Sequence, residues 1–248
     1  MTDSLSHTAA IVLAAGRGTR MKAKHKNKVA FLLHGRPMIA RTVAHLREAG
    51  VGQIIAVVGF QAESVKAVLG QSVDYAMQKE ALGTGDALKS ALPSLAEGVT
   101  TILSVYGDDS AFYPVSLYQE MIHKLATTRA DLLFLTIHKD DPTGLGRIVR
   151  DQAGRVAKIV EEKNASPAEK QIQEINTGFY CFSRTFLESS IDQIQKNPLT
   201  GEYYATDLVE IALRAGRRVE AHYVADDSIW HGVNNRSDFA KAQQKIHD

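Results

Sequence analysis

The chain has 248 residues, 44% hydrophobic and 23% charged, which fits a soluble globular protein with a real core and excludes a disordered or fibrous one. Lys and Arg total 29 against 28 for Asp and Glu, so no charge excess calls for nucleic acid or an anionic membrane as partner. A single cysteine, Cys181, excludes an intrachain disulfide and fits a reducing compartment; between Phe179, Tyr180 and Phe182 it reads as a core hydrophobe rather than a nucleophile.

The polar stretch Met1–Thr8 lacks the basic and apolar regions of a signal peptide, and no apolar run reaches bilayer length, so a cytoplasmic location is expected. Ala9–Leu13 is a compact apolar run stopped by glycines, a buried strand. Met38–Glu48 carries Ile39, Val43 and Leu46 at helical spacing and stops at Gly50. Ile54–Val58 predicts a strand, Glu63–Leu69 a helix, Thr101–Val105 and Leu132–Ile137 further strands, and Ser116–Ala126 the helix between them. Alternation of this kind implies a Rossmann-like α/β fold, mostly parallel, with helices on both faces of the sheet.

Beyond His138 the rhythm changes. Arg147–Arg150 and Val156–Val160 predict a hairpin around Asp151-Gln152-Ala153-Gly154. A strand over Gly178–Phe182, a helix over Thr206–Arg214, a strand over Val219–Val224 and a polar helix after Asn235 complete the chain. With no linker and no internal repeat, one domain is expected, its second part smaller and richer in β-structure.

The first strand runs into Ala14-Ala15-Gly16-Arg17-Gly18-Thr19-Arg20-Met21. Small residues and glycines let backbone N–H groups approach an anion, and Arg20 adds a guanidinium fork. No Gly-Lys-Ser/Thr follows, so this is not a Walker A loop, and Met21 stands where a dinucleotide fingerprint needs its third glycine. Read alone, the loop is a tight turn or an anion site.

Leu13 to Met21, followed by Lys28 and by Gly35-Arg36-Pro37-Met38, resembles the signature of the sugar-nucleotide pyrophosphorylases. The resemblance implies the nucleotide-diphospho-sugar transferase fold, with Leu13, Ala14, Ala15, Gly16 and Gly18 around a nucleoside triphosphate. It gives Arg20 and Lys28 the catalytic task of neutralising phosphate charge. The family has proline before that lysine; here it is Asn27, in a loop one residue longer. Lys22, Lys24 and Lys26 crowd the same segment, and spacing to Gly35 favours Lys28 as the lysine of the site.

Gln78-Lys79-Glu80-Ala81-Leu82-Gly83-Thr84-Gly85-Asp86-Ala87 is similar to the family's base-reading element, with Gln78, Gly83 and Thr84 on the nucleotide. An amide offers both a donor and an acceptor, as a uracil edge requires. The same residues also read as a helix start with Thr84 as its cap. Tyr106-Gly107-Asp108-Asp109 closes a strand at the edge where α/β sheets bind ligands. By resemblance Asp108 and Asn234, the latter in Gly232-Val233-Asn234-Asn235, hold Mg²⁺. Asp109 is either a second ligand or a turn residue, and the turn is the favoured reading.

Asp141–Ile148, Ile159–Ala165, Gln173–Gly178 and Gly201–Asp207 then resemble the sugar side of one branch, the N-acetylglucosamine-1-phosphate uridylyltransferases. That implies Gly146, Glu161, Asn176, Tyr204 and Thr206 as sugar-binding residues, with residues 8–138 serving the nucleotide and 139–236 the sugar. The implied substrates are UTP and a sugar 1-phosphate, with no nucleic acid and no membrane. No hexapeptide repeats follow, so acetyl transfer is not expected. Alternatives left open are another sugar 1-phosphate, CTP or dTTP in place of UTP, and a non-catalytic subunit that senses nucleotide sugars.

Overall fold

The computed structural model describes residues 5–21, 25–233 and 235–245 of the chain. β1 (Thr8–Ala14) is followed by a two-stranded ribbon, β2 (Leu32–Leu33) with β3 (Arg36–Pro37), and by α1 (Met38–Glu48). Next come β4 (Gln53–Val58), α2 (Ala62–Leu69), β5 (Asp74–Met77), α3 (Thr84–Ala91) and β6 (Thr101–Tyr106). α4 (Val115–Thr128) leads to β7 (Leu132–His138), β8 (Arg147–Arg150), β9 (Val156–Val160) and the long β10 (Glu174–Ser183). α5 (Arg184–Ser190), α6 (Asp207–Arg214), β11 (Val219–Val224) and α7 (Arg236–Lys245) end the description.

The main sheet has the order β11-β7-β10-β6-β1-β4-β5, with β8 hydrogen-bonded to β10 and to β9. Along that order β1, β4, β5 and β6 pair in parallel, as do β7 and β11, whereas β10 runs antiparallel to both β6 and β7. β1 is buried along its whole length because it is covered on both faces. Ala10, Val12 and Ala14 pack with Val43, Leu46, Val65, Leu117 and Met121 of α1, α2 and α4. Ala9, Ile11 and Leu13 face Leu88, Phe186, Leu187, Leu208 and Ile211 of α3, α5 and α6. Each aliphatic side chain buried this way contributes about 1.5–3 kcal/mol relative to exposure, which fixes the two-faced burial. Cys181 sits in the first of these cores, and burial pushes its thiol pKa up.

The β2–β3 ribbon and α5 are absent from the sequence reading, and two further strands depart from it for physical reasons. β5 has only one buried residue, Ala76, and its Asp-Tyr-Ala-Met sequence carries no apolar run to announce it. β10 begins four residues before the expected Gly178, because Asn176-Thr177-Gly178 forms a bulge rather than a turn, with the register shifting between Asn176 and Tyr180. Among the described residues no helix is long and apolar enough to cross a membrane.

Candidate active site

β1 lies between β4 on one side and β6 on the other, so the chain leaves it first in one direction and then the opposite one. Such a switch point opens a crevice beyond the carboxyl ends of the strands. The loop after β1, the Gly107-Asp108-Asp109 turn after β6 and Gln78 after β5 all fall there. Because β10 is antiparallel, its first residues meet the last residues of β7, Glu174 opposite His138 and Asn176 opposite Thr136. The reversed strand therefore delivers Asn176 to the edge that carries Asp108. The start of β8 and the end of β9 are brought to the same edge, Arg147 pairing with both Ile175 and Val160.

On the nucleotide side Leu13, Ala14 and Ala15 are buried, and the chain then opens at Gly16. A Cβ on Gly16 would meet nothing within 4 Å, so the loop borders open space there. Gly18 has φ +57°, a conformation that favours glycine. Lys28 starts a short 3-10 turn and its Nζ donates to the Val233 carbonyl at 2.8 Å. The same Nζ pairs with Asp108 Oδ2, so the loop after β1 and the turn after β6 are tied by opposite charges.

Asp109 is more than a turn residue. Its side chain is buried, Oδ2 accepts from Trp230 Nε1 at 3.2 Å, and Oδ1 has no hydrogen-bond partner among the described residues. Burial first, and the neighbouring Asp108 charge second, hold its carboxyl well above the usual range, partly opposed by Lys28 and Trp230. Lys139 Nζ in turn lies over the Trp230 ring, 5.8 Å from its centroid.

Gln78 is buried at the end of β5, and its Nε2 donates to the Gly83 carbonyl at 2.9 Å and to Asp86 Oδ2 at 2.8 Å. Both amide hydrogens are thereby spent on the protein, which leaves Oε1 as the group to meet a ligand. Gly83 has φ +97° and its missing Cβ would stand 2.5 Å from the Tyr203 carbonyl. Gly83, not Thr84, occupies the cap position of α3. The Thr84 hydroxyl instead accepts from the Ala205 N–H at 2.9 Å, while Gly85 N–H reaches Tyr203 O at 2.8 Å and Tyr203 N–H reaches Leu82 O at 2.7 Å. These bonds seam the base-reading element onto the segment carrying Tyr204 and Thr206.

On the sugar side Gly146, Glu161 and Asn176 come together. Gly146 O accepts from Asn176 N–H at 2.9 Å, and a Cβ on Gly146 would lie 3.5 Å from Glu161 Oε1. Solvent reaches Glu161, but the crevice walls surround its carboxyl: burial chiefly, then the Asp207 charge, raise its pKa against the pull of Arg147. Asn176 Nδ2 donates to Tyr180 OH at 2.7 Å and Oδ1 accepts from Gly178 N–H at 3.1 Å. Tyr204 is half-exposed rather than a core aromatic, its hydroxyl donating to Thr200 Oγ1 at 2.7 Å; Thr206 precedes α6 without capping it. The Arg20 side chain, Asn234, Lys22 and Lys24 lie outside the described residues.

Sequence reasoning missed Arg147, whose side chain is 2% exposed and whose Nη2 pairs with Glu162 at 2.5 Å beneath the sugar side. It also met Asn27 only as a departure from a pattern. A cavity of about 600 Å³ lined by Arg150, Arg155, Arg217 and Arg218 shares no residue with this crevice. Those arginines already face Glu174, Asp151, Asp131 and Glu220 respectively.

A family model described as nucleotidyl transferase matches residues 9–248. Among curated proteins, one named Bifunctional protein GlmU from Exiguobacterium sibiricum is 43% identical over 237 residues, 96% of this chain and 52% of the relative. Another of that name, from Geobacillus sp. (strain WCH70), is 42% identical over 235 residues, 95% of this chain and 51% of the relative. The chain thus spans about half the length of the curated relatives it matches. Among solved structures, a Bacillus anthracis protein described as a "Putative Glucose-1-Phosphate Thymidylyltransferase" superposes with a TM-score of 0.79 at 20% identity, over 96% of this chain and 94% of the other. That likeness carries the fold alone. A switch-point crevice bordered by a glycine loop and a strand-end carboxylate, together with a family match over nearly the whole length, means that this chain belongs to the nucleotidyl transferase family.

Proposed function

We propose that this protein transfers a uridylyl group from UTP to N-acetylglucosamine 1-phosphate, with Mg²⁺, in a single domain. Residues of about 8–138 would take the nucleotide and 139–236 the sugar. The observation that carries this reading is the seam that joins Leu82-Gly83-Thr84-Gly85 to Tyr203-Tyr204-Ala205: it makes one crevice of the two sets of motif residues. The family match and the resemblance of the sugar-side elements support the same pair of substrates.

In this reaction a phosphate oxygen of the sugar attacks the α-phosphorus, a new P–O bond forms, and the bond to the β-phosphate bridge breaks to release pyrophosphate. Both reactants are anions, so the protein's work is charge neutralisation and positioning. Lys28 stands at the loop as a cation whose present partners are Asp108 and the Val233 carbonyl, and Arg20 would supply a second positive group. The free Gln78 Oε1 suits the N3–H of uracil. Glu161 would accept from a sugar hydroxyl or amide, with Asn176, Tyr204 and Thr206 around it and Gly146 leaving room for the ring.

Asp108 fits a Mg²⁺ ligand: it is a hard oxygen donor at the strand end, and its ion-pair partner among the described residues is a lysine that can be displaced. Among the described residues no three His, Cys, Asp or Glu side chains cluster to hold a metal by themselves. That suits a cation that takes one or two protein ligands and completes its shell with phosphate oxygens and water. Such an ion, when bound, would neutralise charge on the reacting phosphates. The test is pyrophosphate release with UTP, CTP and dTTP crossed against N-acetylglucosamine 1-phosphate and glucose 1-phosphate. Preference for UTP with N-acetylglucosamine 1-phosphate is expected; turnover on another pair at tenfold higher kcat/KM would replace the assignment.

A further inference from the structure

We infer that Asn27 is a positioning residue for the triphosphate: one buried side chain orients the glycine loop and launches the turn that carries Lys28. The residue is 1% exposed. Its Nδ2 donates to the carbonyls of Ala14 at 2.8 Å, Phe60 at 2.8 Å and Gly16 at 3.3 Å. Its Oδ1 accepts from Val29 N–H at 3.2 Å, and its own N–H donates to Ser64 Oγ at 2.9 Å. Three carbonyls on one side and an N–H on the other leave one orientation of the amide that works.

What this does to the loop follows from peptide geometry. In a planar trans peptide the C=O of one residue and the N–H of the next point in opposite directions. Drawing the Ala14 and Gly16 carbonyls toward Asn27 therefore turns the Ala15 and Arg17 N–H groups away from it. The Ala15 carbonyl is held as well, by Phe60 N–H at 3.1 Å. Carbonyl oxygens that would repel a phosphate are thus kept turned inward, and the amides are left to meet it. The same residue, with φ −63° and ψ 144°, caps the 3-10 turn over Lys28–Ala30 by accepting from Val29. Loop amides and lysine are set by one group, so their relative placement does not depend on the segment in between.

This rests on the uridylyl-transfer reading, and the experiment separates the two. Asn27→Asp keeps the size and the acceptor for Val29 but turns a carboxylate oxygen on the Ala14, Gly16 and Phe60 carbonyls; Asn27→Ala removes every side-chain bond. Ser64→Ala, which removes the bond from the Asn27 backbone N–H and the hydroxyl's own bond to the Gln61 carbonyl but leaves every bond of the Asn27 side chain, serves as the control. In the full chain the two Asn27 variants should raise the KM for UTP about tenfold or more, because misplacing a binding group by about 1 Å can cost on the order of a hundredfold in rate. The KM for the sugar phosphate should stay within about twofold in both, and Ser64→Ala should match wild type. A loss of global fold would raise both KM values together.

A second readout needs no variant. In the wild type the Asn27 side-chain amide protons should be protected from solvent exchange by NMR. Rapid exchange of the Asn27 side-chain amide in the wild type, or an unchanged KM for UTP in folded Asn27→Ala, would overturn the inference. An inactive wild type would sink the substrate assignment, while the exchange of the Asn27 amide would still decide the clamp.

Discussion

Gly178→Ala is the substitution whose cost can be worked most directly from the structure. Gly178 lies in the β10 bulge with φ +83°, and an L-residue there pays about 1–2 kcal/mol in backbone strain. The added Cβ would also stand 2.1 Å from Tyr106 Cε2, 2.9 Å from Cδ2 and 3.1 Å from Cζ, all well inside contact distance. The clash is with the ring itself, which must shift bodily, and overpacking of that kind costs about 1–3 kcal/mol. The two effects together predict a loss of about 2–5 kcal/mol, a fall in Tm on the order of 5–15 °C for a chain of this size. Gly144→Ala is the matched control: its φ is +80°, but a Cβ there meets nothing within 4 Å, so only the strain is paid. Urea and thermal unfolding of both variants isolate the ring clash. If Gly178→Ala costs no more than Gly144→Ala, the packing against Tyr106 is wrong. Since Tyr106 precedes Gly107 and Asp108, residual folded Gly178→Ala should also show reduced kcat.

Asp108→Ala should keep its far-UV circular dichroism and lose Mg²⁺-dependent pyrophosphate release by about a hundredfold or more, the scale of removing one preorganised charge from a reacting centre. Wild-type turnover in that variant would sink the metal assignment. Gly16→Ala should be as stable as wild type, since its methyl enters open space, yet raise the KM for UTP if that space is where phosphate lies; unchanged KM would move the triphosphate elsewhere. For Glu161 the sign is set by its raised pKa: a carboxyl held above its unfolded value contributes most below that value and loses its contribution as pH rises through the folded one. Glu161→Gln should therefore be at least as stable as wild type at pH 8, with the difference closing toward pH 4, while the KM for the sugar phosphate rises. Lower stability at pH 8 would contradict the crevice environment assigned to it.

The parts of the fold that were legible in the sequence were those where burial writes directly into residue type. β1 and β4 are covered on both faces, so they appear as unbroken apolar runs, and α1 shows its one buried face at helical spacing. β5 was hidden because an edge strand with one buried residue has no reason to look apolar. The true extent of β10 was hidden for a different reason. Asn-Thr-Gly has turn chemistry, and only the pairing with β6 and β7 shows that the chain bulges through it rather than reversing. The direction of β10 was equally unreadable, since direction depends on which neighbours close the sheet.

At the crevice the glycines, Asp108 and the sugar-side residues stood out by their resemblance to the family's motifs, and the structure brings Gly146, Glu161 and Asn176 together. Thr84 was read as a cap because its local sequence permits one; the structure gives the hydroxyl a partner, Ala205, that is distant in sequence. Asn27 stood out only as a residue where proline was expected. Its φ of −63° is one that proline also adopts, but the N–H that donates to Ser64 and the side-chain bonds are available to asparagine alone. Asp109 looked like a turn residue because it is one, and its burial against Trp230 depends on a residue far along the chain.

The pairing of Lys28 with Asp108 gives the crevice a further property. Both side chains are largely buried, at 18% and 10% exposure, and a charge of this kind left without a partner is strongly destabilising. In the proposed reaction each would exchange the other for a piece of the substrate, Lys28 for a phosphate and Asp108 for the cation that accompanies it. A triphosphate arriving alone would draw Lys28 away and strand the carboxylate; a cation arriving alone would do the reverse. Only the two together replace one neutral pairing by two, so the affinity of each must rise with the other, and by the same factor. Under the proposed reaction the ion pair that holds the β1 loop to the β6 turn would be a placeholder for the metal nucleotide, and the Asn27 clamp would keep the loop in position during the exchange.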